Sequence, residues 1–352
     1  MTILRTSLLV LALLPAAGFA HHSFSRYNTT GNIDLEGDVV SVSWRNPHAH
    51  IVLRVKNPDG TTADWDLESG SPTLMMRAGV PTDPIKPGDH IKIAGYPLAT
   101  ATAATKEAFA TNVLLPSGQE LVMQTGAKPH FGGKTIGDFS YRFRTEGDRT
   151  KPELGLFRVW TFTGADGFLF PESINRNYDL NNYPMTPSAK AALAKFNPAT
   201  DNPTNNCTPK GMPLIMEQPL PMELKKQGSD IVIRIEEYDL LRTIHMSQNA
   251  TPANTPYTSL GYSVGHMEGE TLVVSTDHIS WTYFNQAGIP LSNKAVITER
   301  YTSTEQGSVL AYAMTVNDPV NFTRPVELHK KMLYIPSETI QPFNCAEASR
   351  AR

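Results

Sequence analysis

His48-Ala49-His50-Ile51-Val52-Leu53-Arg54-Val55-Lys56, then Asn57-Pro58-Asp59-Gly60-Thr61, then Thr62-Ala63-Asp64-Trp65-Asp66-Leu67-Glu68, is the stretch on which the fold turns. Ala49, Ile51, Leu53 and Val55 fall on one side of an extended chain, and Ala63, Trp65 and Leu67 on one side of the next. A period of two is the signature of a β-strand and assigns the odd positions to the core. Pro58-Asp59-Gly60 fits a three-residue hairpin loop with glycine in the left-handed position. That register pairs 57 with 61, and therefore 54 with 64, 52 with 66 and 50 with 68. His48 and His50 then share the outer face with Asp64, Asp66 and Glu68, and His50 sits beside Glu68.

Working outward, Ile33 to Trp44 reads as one extended strand region before the hairpin. Ser71-Pro72 opens a short helix that runs through Ala78 and stops at Gly79. Pro87-Gly88-Asp89 turns into a strand over 90–96, and a last strand covers 108–115. A helix between the third and fourth of five strands is the order of an OB-type barrel. The expected organisation is a signal peptide at 1–20, an OB-like domain at 21–120, a linker at 121–155 and a larger domain at 156–352. That larger domain opens with a strand over 156–162 and holds one helix, capped by Thr186 with Pro187 at its first position. A proline- and asparagine-rich loop over 197–221 follows. Seven further strands are expected near 231–238, 241–247, 259–267, 271–277, 294–302, 308–316 and 326–335, with Glu268-Gly269 as a hairpin turn. About eight antiparallel strands make a lipocalin-like closed barrel the simplest architecture, with a sandwich as the alternative. The fold class is all-β.

Composition narrows the function classes. A net charge of -3 over 352 residues, with no basic stripe, argues against nucleic acid as a partner. The start of the chain has Arg5, an apolar run from Leu8 to Leu14, and Ala17-Gly18-Phe19-Ala20, which reads as an export signal cut after Ala20. Beyond it no run approaches the roughly 20 apolar residues that span a bilayer. A periplasmic or secreted address follows, and in that setting Cys207 and Cys345 are expected to form a disulfide.

The same cut would leave His21 first and His22 second. A free α-amine beside its own imidazole is a bidentate nitrogen ligand for copper, and His48, His50 and Glu68 supply further ligands for copper or zinc. The alternative for His50 and Glu68 is a cross-strand ion pair. In the second domain, Ile297, Glu299 and Tyr301 share one strand face. An inward Glu299 would act as an acid or base with its pKa shifted by burial. Arg242, His245, Glu299 and Tyr301 are the candidate catalytic residues, with Arg242 and His245 taken as a pair fixed by Glu236 or Glu237. No nucleotide-binding glycine loop, His-Glu-x-x-His helix or Cys-x-x-Cys haem or redox motif occurs, so no nucleotide or haem cofactor is expected.

His21-His22-Ser23-Phe24, the strand from Gly37 to Trp44, Asn46-Pro47-His48 and Lys86-Pro87-Gly88-Asp89 resemble a bacterial family of exported proteins of unknown function with an N-terminal OB-like domain. Met185-Thr186-Pro187, Cys207 to Pro213, Arg242-Thr243-Ile244-His245, Ser259-Leu260-Gly261, the stretch Gly265 to Val274 and Asp318-Pro319 are similar to a companion region. The resemblance implies a fold and an address, and no substrate. Three functions stay open. The first is an exported protein that binds a small apolar or aromatic molecule in the second barrel, with a metal in the first. The second is a periplasmic lyase, isomerase or hydrolase using His245 and a carboxylate. The third is an envelope scaffold that binds other proteins.

Overall fold

The computed structural model describes residues 27–102, 104–124, 127–137, 148–161, 180–197, 200–218, 220–247 and 250–345. His21, His22 and the expected export signal lie outside these residues. The first half contains β1 (Ile33–Ser43), β2 (His50–Lys56), β3 (Thr62–Glu68), helix α1 (Pro72–Arg77), β4 (His90–Pro97), β5 (Glu107–Leu114), β6 (Glu120–Val122) and β7 (Thr135–Ile136). Strands β3-β2-β1-β4-β5 lie side by side, and a parallel β3–β5 pairing closes them into a five-stranded barrel. The hairpin has the register read from its sequence: His50 faces Glu68, Val52 faces Asp66 and Arg54 faces Asp64. Ala49, Ile51, Leu53 and Leu67 are fully buried, as a period of two requires. Helix α1 starts at Pro72 as expected, but Ser71 makes no side-chain cap; its hydroxyl donates instead to Asn46 Oδ1 at 2.7 Å. The boundary expected at 120 passes through β6, whose Glu120, Leu121 and Val122 are buried against β5.

The second half contains β8 (Val159–Thr161), helix α2 (Pro187–Leu193), β9 (Met222–Gln227), β10 (Asp230–Ile235), β11 (Leu240–His245), β12 (Tyr262–Glu268), β13 (Thr271–Asp277), β14 (Val296–Thr304), β15 (Val309–Asn317) and β16 (Val326–Tyr334). These nine strands form a closed barrel in the order β10 to β16, then β8 and β9. Neighbours are antiparallel except β11 and β12. The count exceeds eight because β9 follows directly on the proline-rich loop and carries only Met222 and Leu224 as apolar positions. The β12–β13 turn is Gly269-Glu270, one residue later than expected, with Gly269 at φ 60°. Thr186 caps α2 by accepting from Ala189 N–H, as its sequence position implies. Tyr183, Met185, Ala189, Met212, Leu214, Ile215 and Met216, which lie outside the strands, pack into the same core as the inward strand residues.

A C-terminal strap ties the two barrels together. Cys345 is disulfide-bonded to Cys207, 138 positions away. Arg77 of α1 donates from Nη1 to Glu236 Oε1 at 2.5 Å and from Nε to Glu338 Oε1 at 2.9 Å. Asn46 donates to the Phe343 carbonyl, and the Phe343 N–H donates to Asp239 Oδ1 at 3.1 Å.

Candidate functional site

Alternation along the barrel strands decides which polar side chains meet. Arg242, Ser263, Thr276, Glu299, Tyr301 and Tyr312 all point inward and are buried. Arg242 Nη1 donates to Glu299 Oε1 at 3.0 Å, and Nη2 donates to Glu299 Oε2. Nη2 also reaches Thr276 Oγ1 at 2.7 Å, and Nε reaches Ser263 Oγ at 3.0 Å. The Tyr301 and Tyr312 hydroxyls each donate to Glu299 Oε1 at 2.7 Å. Burial pushes the Glu299 carboxyl up, but the Arg242 charge and the four hydrogen bonds outweigh it, so its pKa is lowered and the group stays ionised. Burial pulls Arg242 down and Glu299 more than restores it, so Arg242 is raised. Burial beside the Glu299 carboxylate pushes both phenols well up. This is a sealed and mutually satisfied ion pair, with its carboxylate oxygens taken by donors.

Three of the four residues read as catalytic therefore converge, and the fourth does not. His245 lies three positions from Arg242, so the alternation turns it to the outside of the barrel. Its Nδ1 lies 3.1 Å from Asp230 Oδ2, and its ring stacks on Tyr262 at 4.5 Å. The expected anchoring of Arg242 by Glu236 or Glu237 is also corrected: Glu236 pairs with Arg77, and Glu237 with Lys210 Nζ at 2.7 Å. Gly261-Tyr262-Ser263-Val264-Gly265 has the spacing of a hydrolase nucleophile elbow. Ser263, however, lies within β12, faces inward and bonds Arg242 and Thr276, so it is no exposed nucleophile at a strand-to-helix turn.

At one end of this interior, Tyr183, Pro213, Leu214, Glu217, Phe284, Asn285, Met314 and Leu328 line a small cleft with a free volume of about 10 Å³, room for one water. Asn285 Oδ1 accepts from the N–H groups of Ala287 at 3.2 Å and Ile289 at 3.3 Å, which fixes the orientation of the amide. Its Nδ2 is left buried without a hydrogen-bond partner. Tyr183 is raised far above an ordinary phenol, by burial first and the Glu217 charge second, while the nearby Asn285 amide pulls it the other way. Below the cleft, Lys330 is fully buried and donates to the Met216 carbonyl at 2.8 Å and the Gln218 carbonyl at 2.9 Å. Burial holds its amine well below an ordinary lysine, although Glu217 and Glu237 oppose that. Sequence reasoning passed over Lys330, and a signal existed. It interrupts the inward stripe Val326, Leu328, Met332. Glu217 and Asn285 sit in irregular backbone, where no period marks them.

On the N-terminal barrel, His48 and His50 share a face with Asp66 and Glu68. His48 Nδ1 lies 3.0 Å from the Ser69 carbonyl and 3.4 Å from Glu68 Oε1, and His50 Nδ1 lies 3.4 Å from Asp66 Oδ1. Tyr27 donates to Glu68 Oε2 at 2.7 Å. Among the described residues, no three His, Cys, Asp or Glu side chains come together as a metal-holding group.

Residues 9–106 match a family of unknown function (DUF6152). The match spans β1 to β4 and stops before β5, so it leaves the nine-stranded barrel uncovered. No curated protein and no solved structure matches the chain. Among the described residues, no helix is long and apolar enough to cross a membrane.

Proposed function

We propose that this is an exported small-molecule-binding protein, and that its ligand occupies the cleft at the end of the nine-stranded barrel. The observation that carries this reading is the Asn285 Nδ2 group. It is a buried donor in a cleft wall, held in orientation by two backbone N–H groups, with no acceptor inside hydrogen-bond geometry and the Tyr183 hydroxyl near it. A buried polar atom without a partner costs about 1–3 kcal/mol, which a ligand acceptor recovers. Phe284, Met314, Leu328 and Leu214 supply apolar walls, and Glu217 and Tyr183 supply further polar groups. The free space is about 10 Å³, room for one water-sized group, so the ligand chemistry that fits is an apolar or aromatic ring of which only the carbonyl-type acceptor enters the cleft. The test is methyl NMR on methionine-labelled protein titrated with acetophenone and benzamide. Saturable shifts at Met314 that disappear in Asn285→Leu support the reading, and an unmoved Met314 methyl in the wild type refutes it.

A second reading is a copper or zinc site on the N-terminal barrel. It is favoured by the Nδ1 atoms of His48 and His50, both of which face oxygens. Metal-binding histidines are commonly held in this way, with Nε2 turned to the metal. Tyr27, tied to Glu68, brings the chain to this face, and His21 stands six residues earlier, within an extended reach of about 20 Å. Titration of protein processed at Ala20 with Cu²⁺ and Zn²⁺ decides it. Stoichiometric binding lost in His48→Ala/His50→Ala is expected, and binding no tighter than the buffer's rejects it.

A further inference from the structure

The outer wall of the barrel carries a row of rings that the cleft does not use. Tyr262 on β12 is half-buried, with the His245 ring stacked on one side at 4.5 Å and 19° between planes. Across the ladder Tyr262 pairs with Asp277 of β13. Asp277 Oδ1 accepts from Thr251 Oγ1 at 2.6 Å and lies 2.9 Å from Nδ1 of the adjacent His278. His278 adopts a left-handed φ of 53°, and its ring lies 4.7 Å from that of Tyr257, which is 51% exposed. The row therefore crosses β11, β12 and β13 and continues onto the loop that holds Tyr257.

The chemistry of this row is specific in two respects. A carboxylate only accepts hydrogen bonds, so Asp230 and Asp277 each take an Nδ1–H from the neighbouring imidazole and leave its Nε2 edge turned away from the carboxylate. Each aspartate already faces an imidazole and a second donor, Met246 N–H or Thr251 Oγ1. The surface thus presents flat rings, polar imidazole edges and carboxylate oxygens, bordered by the exposed hydroxyls of Thr243 and Ser275. None of these side chains is a lysine or arginine; on the same outer face Arg234 stands opposite Leu241, and Arg300 opposite Val273 is tied to Glu268. A sugar chain has the complementary make-up, with apolar C–H faces for the tyrosine rings and hydroxyls around the rim for the polar edges.

We infer that the Tyr262–Tyr257 row on the outside of the nine-stranded barrel is a binding site for a neutral oligosaccharide. It is independent of the cleft at the barrel end. The test is isothermal titration of the full chain with cellohexaose and with chitohexaose. Saturable binding of either is expected, weakened about tenfold in Tyr257→Ala, retained in Tyr257→Phe and unchanged in Asn285→Leu. Tyr257 is on an exposed loop, so its loss leaves the barrel folded; Tyr262→Ala, verified as folded by its melt, provides the second arm. Absence of binding to both sugars overturns the inference. So does binding that survives both alanine substitutions, or preference for an anionic chain such as hexametaphosphate.

Discussion

Replacing Glu299 with glutamine separates a structural ion pair from a catalytic carboxylate. The substitution keeps shape and removes charge, which strands the Arg242 guanidinium inside the barrel with its side chain only 1% exposed. Removing one partner of a buried pair costs about 3–5 kcal/mol, chiefly because the remaining charge has no counter-ion. For a unit the size of the larger barrel, each kcal/mol moves the midpoint by about 2–4 °C, so a fall of roughly 6–20 °C is expected. The sign with pH follows from the direction of the Glu299 shift. Its folded pKa lies below the ordinary value of 4.5, so its stabilising effect is fully present above 4.5 and is lost as pH falls through the lowered folded value. The gap between wild type and Glu299→Gln should therefore be constant from neutral pH to about 5 and narrow in stronger acid. Calorimetry on the oxidised protein across pH 3–8 measures both quantities. Arg242→Met/Glu299→Leu should recover part of the loss but not all of it. Tyr301 and Tyr312 lose their acceptor, at about 1–3 kcal/mol each, until both are changed to phenylalanine. A Glu299→Gln midpoint within error of the wild type, or a gap that stays constant into acid, refutes the reasoning.

Three more outcomes are expected. Lys330 has a folded pKa well below its ordinary 10.5, so the unfolded chain binds more protons between the two values and stability should rise with pH across that window. Urea midpoints from pH 7 to 10 should show this rise in the wild type and a flat line in Lys330→Met. Loss of the Cys207–Cys345 bridge, which closes a separation of 138, should lower stability by roughly 5 kcal/mol on chain entropy alone, read by denaturation with and without reductant. Arg77→Ala leaves the fully buried Glu236 without its cation between the two barrels, at a cost of about 3–5 kcal/mol. Its melt should split into two transitions, and adding Glu236→Gln should recover much of the loss.

The hairpin register was legible to the residue because a one-position slip would put Ile51, Leu53 and Leu67 in water. The strand Met222–Gln227 was not, because Glu223, Lys225, Lys226 and Gln227 hide two inward apolar positions behind Pro219 and Pro221. Within the barrel, the shared face of Ile297, Glu299 and Tyr301 followed from parity. The partner of Glu299 did not, since Arg242 lies 57 positions away and meets it only across the closed barrel. Parity alone separates Arg242 from His245, so reading them as a pair overlooked a rule already applied to the hairpin. Glu217 and Asn285 sit in irregular backbone, and what makes them notable is an unpaired amide and a cleft, both properties of the folded chain.

Where the charges sit also constrains where binding happens. In a small barrel the interior is about wide enough for its own side chains. Here Arg242, Tyr301, Tyr312, Lys330 and Trp160 fill it, and Tyr183, Met212, Leu214, Ile215 and Met216 pack into the same core. Specific recognition is then left to the ends and the outer wall, where irregular segments such as Phe284–Ile289 can differ without breaking the ladder. The two kinds of site should respond unequally to substitution. Changes at Glu299 or Arg242 should lower the melting midpoint by many degrees, whereas Asn285→Leu, which removes an unpaired donor but also the acceptor of the Ala287 and Ile289 N–H groups, should lower it by less while abolishing the Met314 response. A variant set in which Asn285→Leu destabilises the barrel as much as Glu299→Gln would mean that the amide serves chiefly to brace that turn, and the cleft would lose its claim to a ligand.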